Sequence, residues 1–231
     1  MGVSAATKLE NGPAAAVKRI LLVDDHELVR TAIAGALESL EGFEVVGQAS
    51  SASEALALAV SLRPDLVLMD VDMPGVICFD AVARLRERMP ELRVIFLSAY
   101  FYDHYIEGAL RVGASGYVVK GGPLEVLFDA LRTVAEGGAY YSQEVRARLV
   151  LTDEHPRLAP GPETRGSTLT TREVEVLSYL ARGLSKKEIA RTMGISVKTI
   201  EHHSASVMKK LDIHDRVELA RYAIREGLAE A

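Results

Sequence analysis

The sequence predicts an α/β fold: a doubly wound parallel sheet of five strands with helices on both faces, followed by a separate all-α domain of four helices. Three observations carry this. From Val17 onward, short apolar runs alternate five times with amphipathic stretches, the pattern of successive βα units joined right-handedly. The 231 residues exceed the commonest single-domain size. Beyond a stretch holding Pro156, Pro160, Gly161, Pro162 and Gly166, the pattern becomes purely helical.

Taken in order, residues 1–16 are Ala-, Gly- and polar-rich without period and read as a disordered leader. Strands are expected near 19–23, 44–49, 66–69, 93–97 and 116–119, on short apolar runs of the kind found in strands buried on both faces. Helices are expected near 27–40, 53–62, 79–88, 103–112 and 123–136, which completes a domain over 17–138. Residues 139–166 read as a linker with a short helix at 142–151. In the last domain, 167–231, Thr170 with Glu173 and Ser185 with Glu188 have capping-box spacing, and Ser196 offers a third start. Helices follow at about 171–181, 186–192, 197–211 and 216–226.

Composition narrows the class of protein. With 48% hydrophobic and 26% charged residues the chain resembles ordinary soluble proteins, and no stretch approaches the roughly 18 uninterrupted apolar residues of a membrane span. A single cysteine, Cys78, excludes an internal disulfide and fits a reducing cytoplasm. The net charge of −5 is unevenly spread. Residues 1–164 carry 15 Lys and Arg against 23 Asp and Glu, whereas residues 165–231 carry 12 against 9, so the helical end is the part suited to a polyanion.

The strand ends carry the chemistry. Ile20 to Val23 run into Asp24 and Asp25, Leu66 to Met69 into Asp70, Val94 to Leu97 into Ser98, and Tyr117 to Val119 into Lys120. In an open parallel sheet all of these ends lie on one edge, where ligands bind. Singly, each residue could be a helix cap or a solvated surface group. Together, grouped carboxylates call for a cation, and a hard divalent ion such as Mg²⁺ (or Mn²⁺) accepts carboxylate and carbonyl oxygens. Asp70 could then attack phosphorus as a carboxylate nucleophile, with Lys120 and Ser98 on the phosphoryl oxygens.

Residues 18–137 resemble the receiver domain of two-component response regulators in having paired acids after the first strand, an Asp after the third, Ser after the fourth and Lys after the fifth. The resemblance implies a flavodoxin-like sheet of order 2-1-3-4-5. It also implies that Asp70 takes a phosphoryl group from a sensor histidine kinase. Mg²⁺ would then be held by Asp25 and Asp70, by Asp24 through water and by the backbone carbonyl of Asp72. Tyr117 matches the aromatic switch that follows Ser98. The chain departs from its relatives at Gly75-Val76-Ile77-Cys78, where Gly-Met-Asp-Gly is usual, and at Phe101, Tyr102 and Tyr105, which read as core or subunit-interface residues.

Segment 185–210 has two helices joined by a tight turn at Met193-Gly194-Ile195-Ser196, the helix-turn-helix arrangement whose second helix enters the major groove of double-stranded DNA. Ile189, Ala190, Ile195, Val197, Ile200 and Val207 are expected in its core. Lys186, Lys198, Thr199, Glu201, His202, Ala205, Ser206 and Lys209 are expected to meet DNA, lysines and hydroxyls on phosphates and Glu or His on base edges. Spacing alone would equally suit a protein-interaction module with a charged face. Leu169-Thr-Thr-Arg-Glu173, Gly183-Leu-Ser-Lys-Lys-Glu-Ile-Ala190 and Ile195-Ser-Val-Lys-Thr-Ile200 closely resemble the LuxR-type DNA-binding domain of NarL/FixJ regulators. Ser204-Ala205-Ser206 departs from relatives, which often place a basic or amide residue there.

The expected function is therefore a cytoplasmic, phosphorylation-controlled transcription regulator that is a homodimer when active, and not an enzyme acting on a separate substrate. Two other readings stay open on the residues. One is a DNA-binding regulator that works without phosphorylation. The other is a phosphatase using the Asp-x-Asp spacing of Asp70 and Asp72.

Overall fold

A computed structural model describes residues 17–71, 73, 78–99, 101–150, 156–159 and 168–225, the Thr171 side chain excepted. The leader at 1–16, Asp72, the 74–77 loop and most of the proline-rich linker lie outside the described residues.

The sheet is built from β1 (Lys18–Val23), β2 (Phe43–Ala49), β3 (Leu66–Asp70), β4 (Arg93–Ser98) and β5 (Gly116–Val119). Between and after them come α1 (Glu27–Leu37), α2 (Ala52–Leu62), α3 (Cys78–Arg88), α4 (Asp103–Arg111) and α5 (Leu124–Ala135). The strand order is β2-β1-β3-β4-β5 with every pair parallel, and one further strand extends it. That sixth strand, β6 (Tyr140–Tyr141), lies parallel to β5 within the expected linker, so the five-strand expectation is corrected to six. Gly116 admits this neighbour: a Cβ there would come within 2.9 Å of the Tyr140 carbonyl oxygen.

Period-two alternation sorts the strand residues into two cores. Leu21, Val23, Val67, Met69, Val94, Phe96 and Tyr117 face α2, α3 and α4, burying Ala55, Ala59, Phe79, Val82, Leu85 and Ile106. Ile20, Leu22, Leu66, Leu68, Ile95, Leu97 and Val118 face α1 and α5, burying Leu37, Leu127, Leu131 and Val134. Of the aromatics around the start of α4, Tyr105 packs toward Phe79 with ring centroids 6.5 Å apart, whereas Phe101, ahead of the helix, is exposed.

The helix expected at 142–151 is only one turn, α6 (Gln143–Arg146). The chain then enters a ribbon in which β7 (Leu149–Val150) pairs antiparallel with β8 (Arg157–Leu158). Arg148 ties the ribbon's start to α4 through an ion pair with Asp103.

The last domain is four helices: α7 (Thr171–Ala181), α8 (Lys186–Met193), α9 (Val197–Leu211) and α10 (Arg216–Arg225). Full capping boxes start α7 and α8, Thr170 with Glu173 and Ser185 with Glu188, satisfying orphan N–H donors at both helix starts. Gly194, at φ 65°, makes the left-handed turn into α9, a conformation that costs glycine little. One apolar cluster joins α7, α9 and α10 through Leu177, Val207, Leu211 and Leu219; another joins α7, α8 and α9 through Val176, Ile189, Met193 and Ile200. Val197 is a correction to the expected core. It is 38% exposed, because it sits in the first turn of α9, before the helix reaches its partners. Across the two domains, the Arg172 guanidinium on α7 meets the Asp80 carboxylate on α3 at 3.1 Å.

Candidate functional site

Because β1, β3, β4 and β5 run parallel, their carboxyl ends share one edge, and that edge gathers the candidate residues. Asp24 follows β1, Asp70 ends β3, Ser98 ends β4, and all three are buried. Lys120 follows β5 and reaches back, its Nζ 2.7 Å from Asp24 Oδ2 and 3.0 Å from Asp70 Oδ2. Burial pulls the Lys120 pKa down, but Asp70 and Asp24 outweigh it and hold the ammonium above the ordinary lysine range. Asp24 Oδ1 accepts the His26 backbone N–H at 2.8 Å, and the Asp24 carbonyl accepts from Arg30 at 2.6 Å.

Three carboxylates here face the Lys120 ammonium and the Arg30 guanidinium on the Asp24 carbonyl, so the group keeps one surplus negative charge. Asp24, Asp25, His26 and Asp70 each bring one ligand atom within 4.8 Å of the others. Asp25 Oδ1 is buried with no hydrogen-bond partner, a costly state for a carboxylate oxygen unless a cation meets it. The donor set therefore fits a hard divalent metal. Asp72, expected to add a carbonyl ligand, lies outside the described residues.

The strand register sets the remaining members. Asp70 lies beside Leu97, which places Ser98 at the adjoining strand end, and Lys120 N–H donates to the Ser98 carbonyl at 2.7 Å. Tyr117 lies beside Phe96 and is fully buried in the core under α3 and α4. The structure thus brings together Asp24, Asp25, Asp70 and Lys120, sets Ser98 beside them, and puts Tyr117 three residues back along the strand. Sequence reasoning missed His26, whose Nδ1 is 3.1 Å from Asp25 Oδ1; its place directly after the paired acids was the available signal.

In the helical domain Lys186, Lys198, Thr199, Glu201, His202, Ala205 and Lys209 are exposed on α8 and α9. Ser206 is a correction to the outward set. It is half-buried and its Oγ donates to Glu173 Oε1 at 2.5 Å. Glu173 is the hub that sequence reasoning credited only with a cap. Its other oxygen takes the Thr170 backbone N–H at 2.7 Å and the Lys210 ammonium at 2.6 Å. Burial pushes the Glu173 pKa up, but Lys210, Ser206 and Thr170 outweigh it and hold the carboxyl down at about 2. On the same helix, burial pushes Glu175 up to about 7, with Arg172 opposing and Asp80 adding to the rise.

A receiver-like acidic edge joined to a helix-turn-helix domain defines a class: transcription factors governed by a receiver. Residues 20–132 match the family described as response regulator receiver domain, and residues 167–223 match bacterial regulatory proteins, luxR family. The response regulator GacA of Pseudomonas aeruginosa is 35% identical over 213 residues, covering 92% of this chain and 98% of that one. The transcriptional regulatory protein LiaR of Bacillus subtilis is 33% identical over 210 residues, covering 91% and 98%. The RcsB response regulator of Salmonella typhimurium superposes with a TM-score of 0.70 at 25% identity, covering 90% of this chain and 96% of that one. The chain belongs to the NarL/FixJ family of two-component response regulators, and its function is that of a phosphorylation-controlled transcription regulator. The family consists of transcriptional regulators, not of enzymes acting on separate substrates. Among the described residues no helix is long and apolar enough to cross a membrane.

Proposed function

We propose that Asp70 is the phospho-acceptor, phosphorylated by a partner sensor histidine kinase, and that its modification controls binding of α9 in the DNA major groove. The observation that carries the reading is the Lys120 ammonium bridging Asp24 and Asp70, with a surplus carboxylate, Asp25, beside them. An Asp70 carboxylate oxygen forms the new bond to phosphorus. The bond from phosphorus to the kinase's imidazole nitrogen breaks, and its electron pair returns to that nitrogen. Asp24, Asp25 and Asp70 would hold Mg²⁺ (or Mn²⁺), with the Asp72 carbonyl as a further ligand. That ion supplies positive charge against the phosphoryl oxygens when bound. Lys120, held charged by its two carboxylates, pairs with a phosphoryl oxygen, and Ser98 donates its hydroxyl to another. Tyr117, buried on the neighbouring strand, passes the shift at Ser98 to the α4 side of the sheet.

The output is transcriptional. In this reading Lys186, Lys198 and Lys209 would neutralise phosphates and Glu201 and His202 would meet base edges, with Thr199 and Ala205 beside them; the exposure of all seven supports it. The RcsB relative, whose structure concerns DNA interaction, supports double-stranded DNA as the partner. We read the active form as a homodimer on two half-sites and the compartment as the cytoplasm.

The test is labelling of the full chain with a small radiolabelled phosphodonor. Label is expected on the wild type only with Mg²⁺ present and to be lost in Asp70→Asn. Equal labelling of the two proteins would sink the assignment.

A further inference from the structure

We propose that His26 is a nitrogen ligand of the acidic edge and that it turns the pocket into a site for divalent transition cations, which compete there with Mg²⁺. This rests on the reading of that edge as a metal pocket and adds a donor of a different chemical kind.

Geometry carries the inference. His26 Nδ1 lies 3.1 Å from Asp25 Oδ1 and 3.5 Å from Asp24 Oδ1. Two ligands about 2.1 Å from one ion and at right angles to each other are about 3.0 Å apart. The His26–Asp25 pair already has the span of adjacent ligands on a single small ion. Asp70 brings a carboxylate oxygen within 4.8 Å of both, giving one nitrogen and three oxygens around a common point. Asp25 Oδ1 is buried and makes no well-directed hydrogen bond, and the His26 Nδ1 3.1 Å away is the nitrogen beside it. Lys120 stands on the Oδ2 side of Asp24 and Asp70, while His26 approaches Asp24 from the Oδ1 side; the ammonium and the imidazole therefore do not compete for one place.

The chemistry then sets the selectivity. Mg²⁺ takes oxygen ligands and gains little from an imidazole. Co²⁺, Ni²⁺ and Zn²⁺ accept imidazole readily and bind mixed nitrogen and oxygen sets more tightly than the hard ions do. His26 is also free of a structural duty that would confound a test. It occupies the N-cap position of α1 without a side-chain capping bond, so the helix start does not depend on its ring.

The experiment is calorimetric titration of the full-length protein with NiCl₂, with MgCl₂, and with NiCl₂ in saturating Mg²⁺, on wild type, His26→Ala and His26→Gln. The wild-type ratio of Ni²⁺ to Mg²⁺ affinity is expected to fall about 10-fold or more in both variants. Mg²⁺ is expected to displace the His26-dependent Ni²⁺. Nuclear magnetic resonance of labelled histidine should show the His26 ring signal broadened by Ni²⁺ and restored by Mg²⁺. An unchanged ratio with Mg²⁺ binding intact would overturn the proposal alone and assign Ni²⁺ to other histidines. Absence of Mg²⁺ binding from the wild type would overturn both the proposal and the metal reading on which it rests.

Discussion

Two buried carboxylates, Asp70 and Glu173, each meet a lysine ammonium at hydrogen-bond distance, at 3.0 Å from Lys120 and 2.6 Å from Lys210, yet they do opposite things. Glu173 stands alone and is closed on every side: Thr170, Ser206 and Lys210 all donate to it, and it joins the start of α7 to α9. Asp70 shares its ammonium with Asp24, and Asp25 beside them keeps an oxygen without a donor. A satisfied buried charge is architecture. On the proposed reading, a charge cluster left in surplus at a sheet edge would take up a cation and a phosphoryl group, and would keep that readiness at a cost in stability.

Neutralising the two carboxylates should separate them. Glu173→Gln is expected to lower unfolding stability at neutral pH by about 1–3 kcal/mol, since it takes the charge away from the Lys210 ammonium and the Ser206 and Thr170 donors that hold the carboxyl down at about 2. Because the folded pKa is depressed, this contribution is present above about pH 4.5 and is lost as pH falls toward about 2. Denaturant titrations of the helical domain's signal across that range would show it. Asp70→Asn, by contrast, is expected to raise stability in the absence of divalent ions by about 1 kcal/mol, since it removes one of the crowded charges. A drop as large as that of Glu173→Gln would erase the distinction between the two sites.

A smaller effect is expected at Glu175, which shares Arg172 with Asp80 across the domain contact. Its folded pKa is raised to about 7, so its contribution favours the fold below about pH 4.5 and fades as pH rises through about 7. Glu175→Gln should flatten that fall in stability, read as the change in unfolding midpoint between about pH 5 and pH 8.

The acidic edge was legible in the sequence because a parallel strand buried on both faces announces itself as an apolar run, and the residue that ends the run is the one at the edge. Asp24, Asp70, Ser98 and Lys120 follow from those run ends alone. The capping boxes of α7 and α8 were legible for a similar reason, since their spacing is fixed by helix geometry. The sixth strand was not, because Tyr140 and Tyr141 are too few to show a period and gain their place from pairing with Gly116 and Tyr117 on β5. The phase of α9 was misjudged around Ser206 because its buried row runs Ile200, Ser204, Val207, Leu211, and a serine in that row hides the apolar pattern. His26 and the Glu173 hub depend on side-chain placement across elements, which spacing along one element does not encode.

The central claim is that the surplus charge at the sheet edge governs what α9 does. The most direct measurement is equilibrium binding of full-length protein to its DNA site, at fixed salt, before and after treatment with a phosphodonor and Mg²⁺, for wild type and Asp70→Asn. The account requires the treatment to change wild-type affinity, about 10-fold or more on the scale of typical allosteric coupling, and to leave Asp70→Asn unmoved. Equal affinities for treated and untreated wild type, with Asp70 labelled, would contradict it.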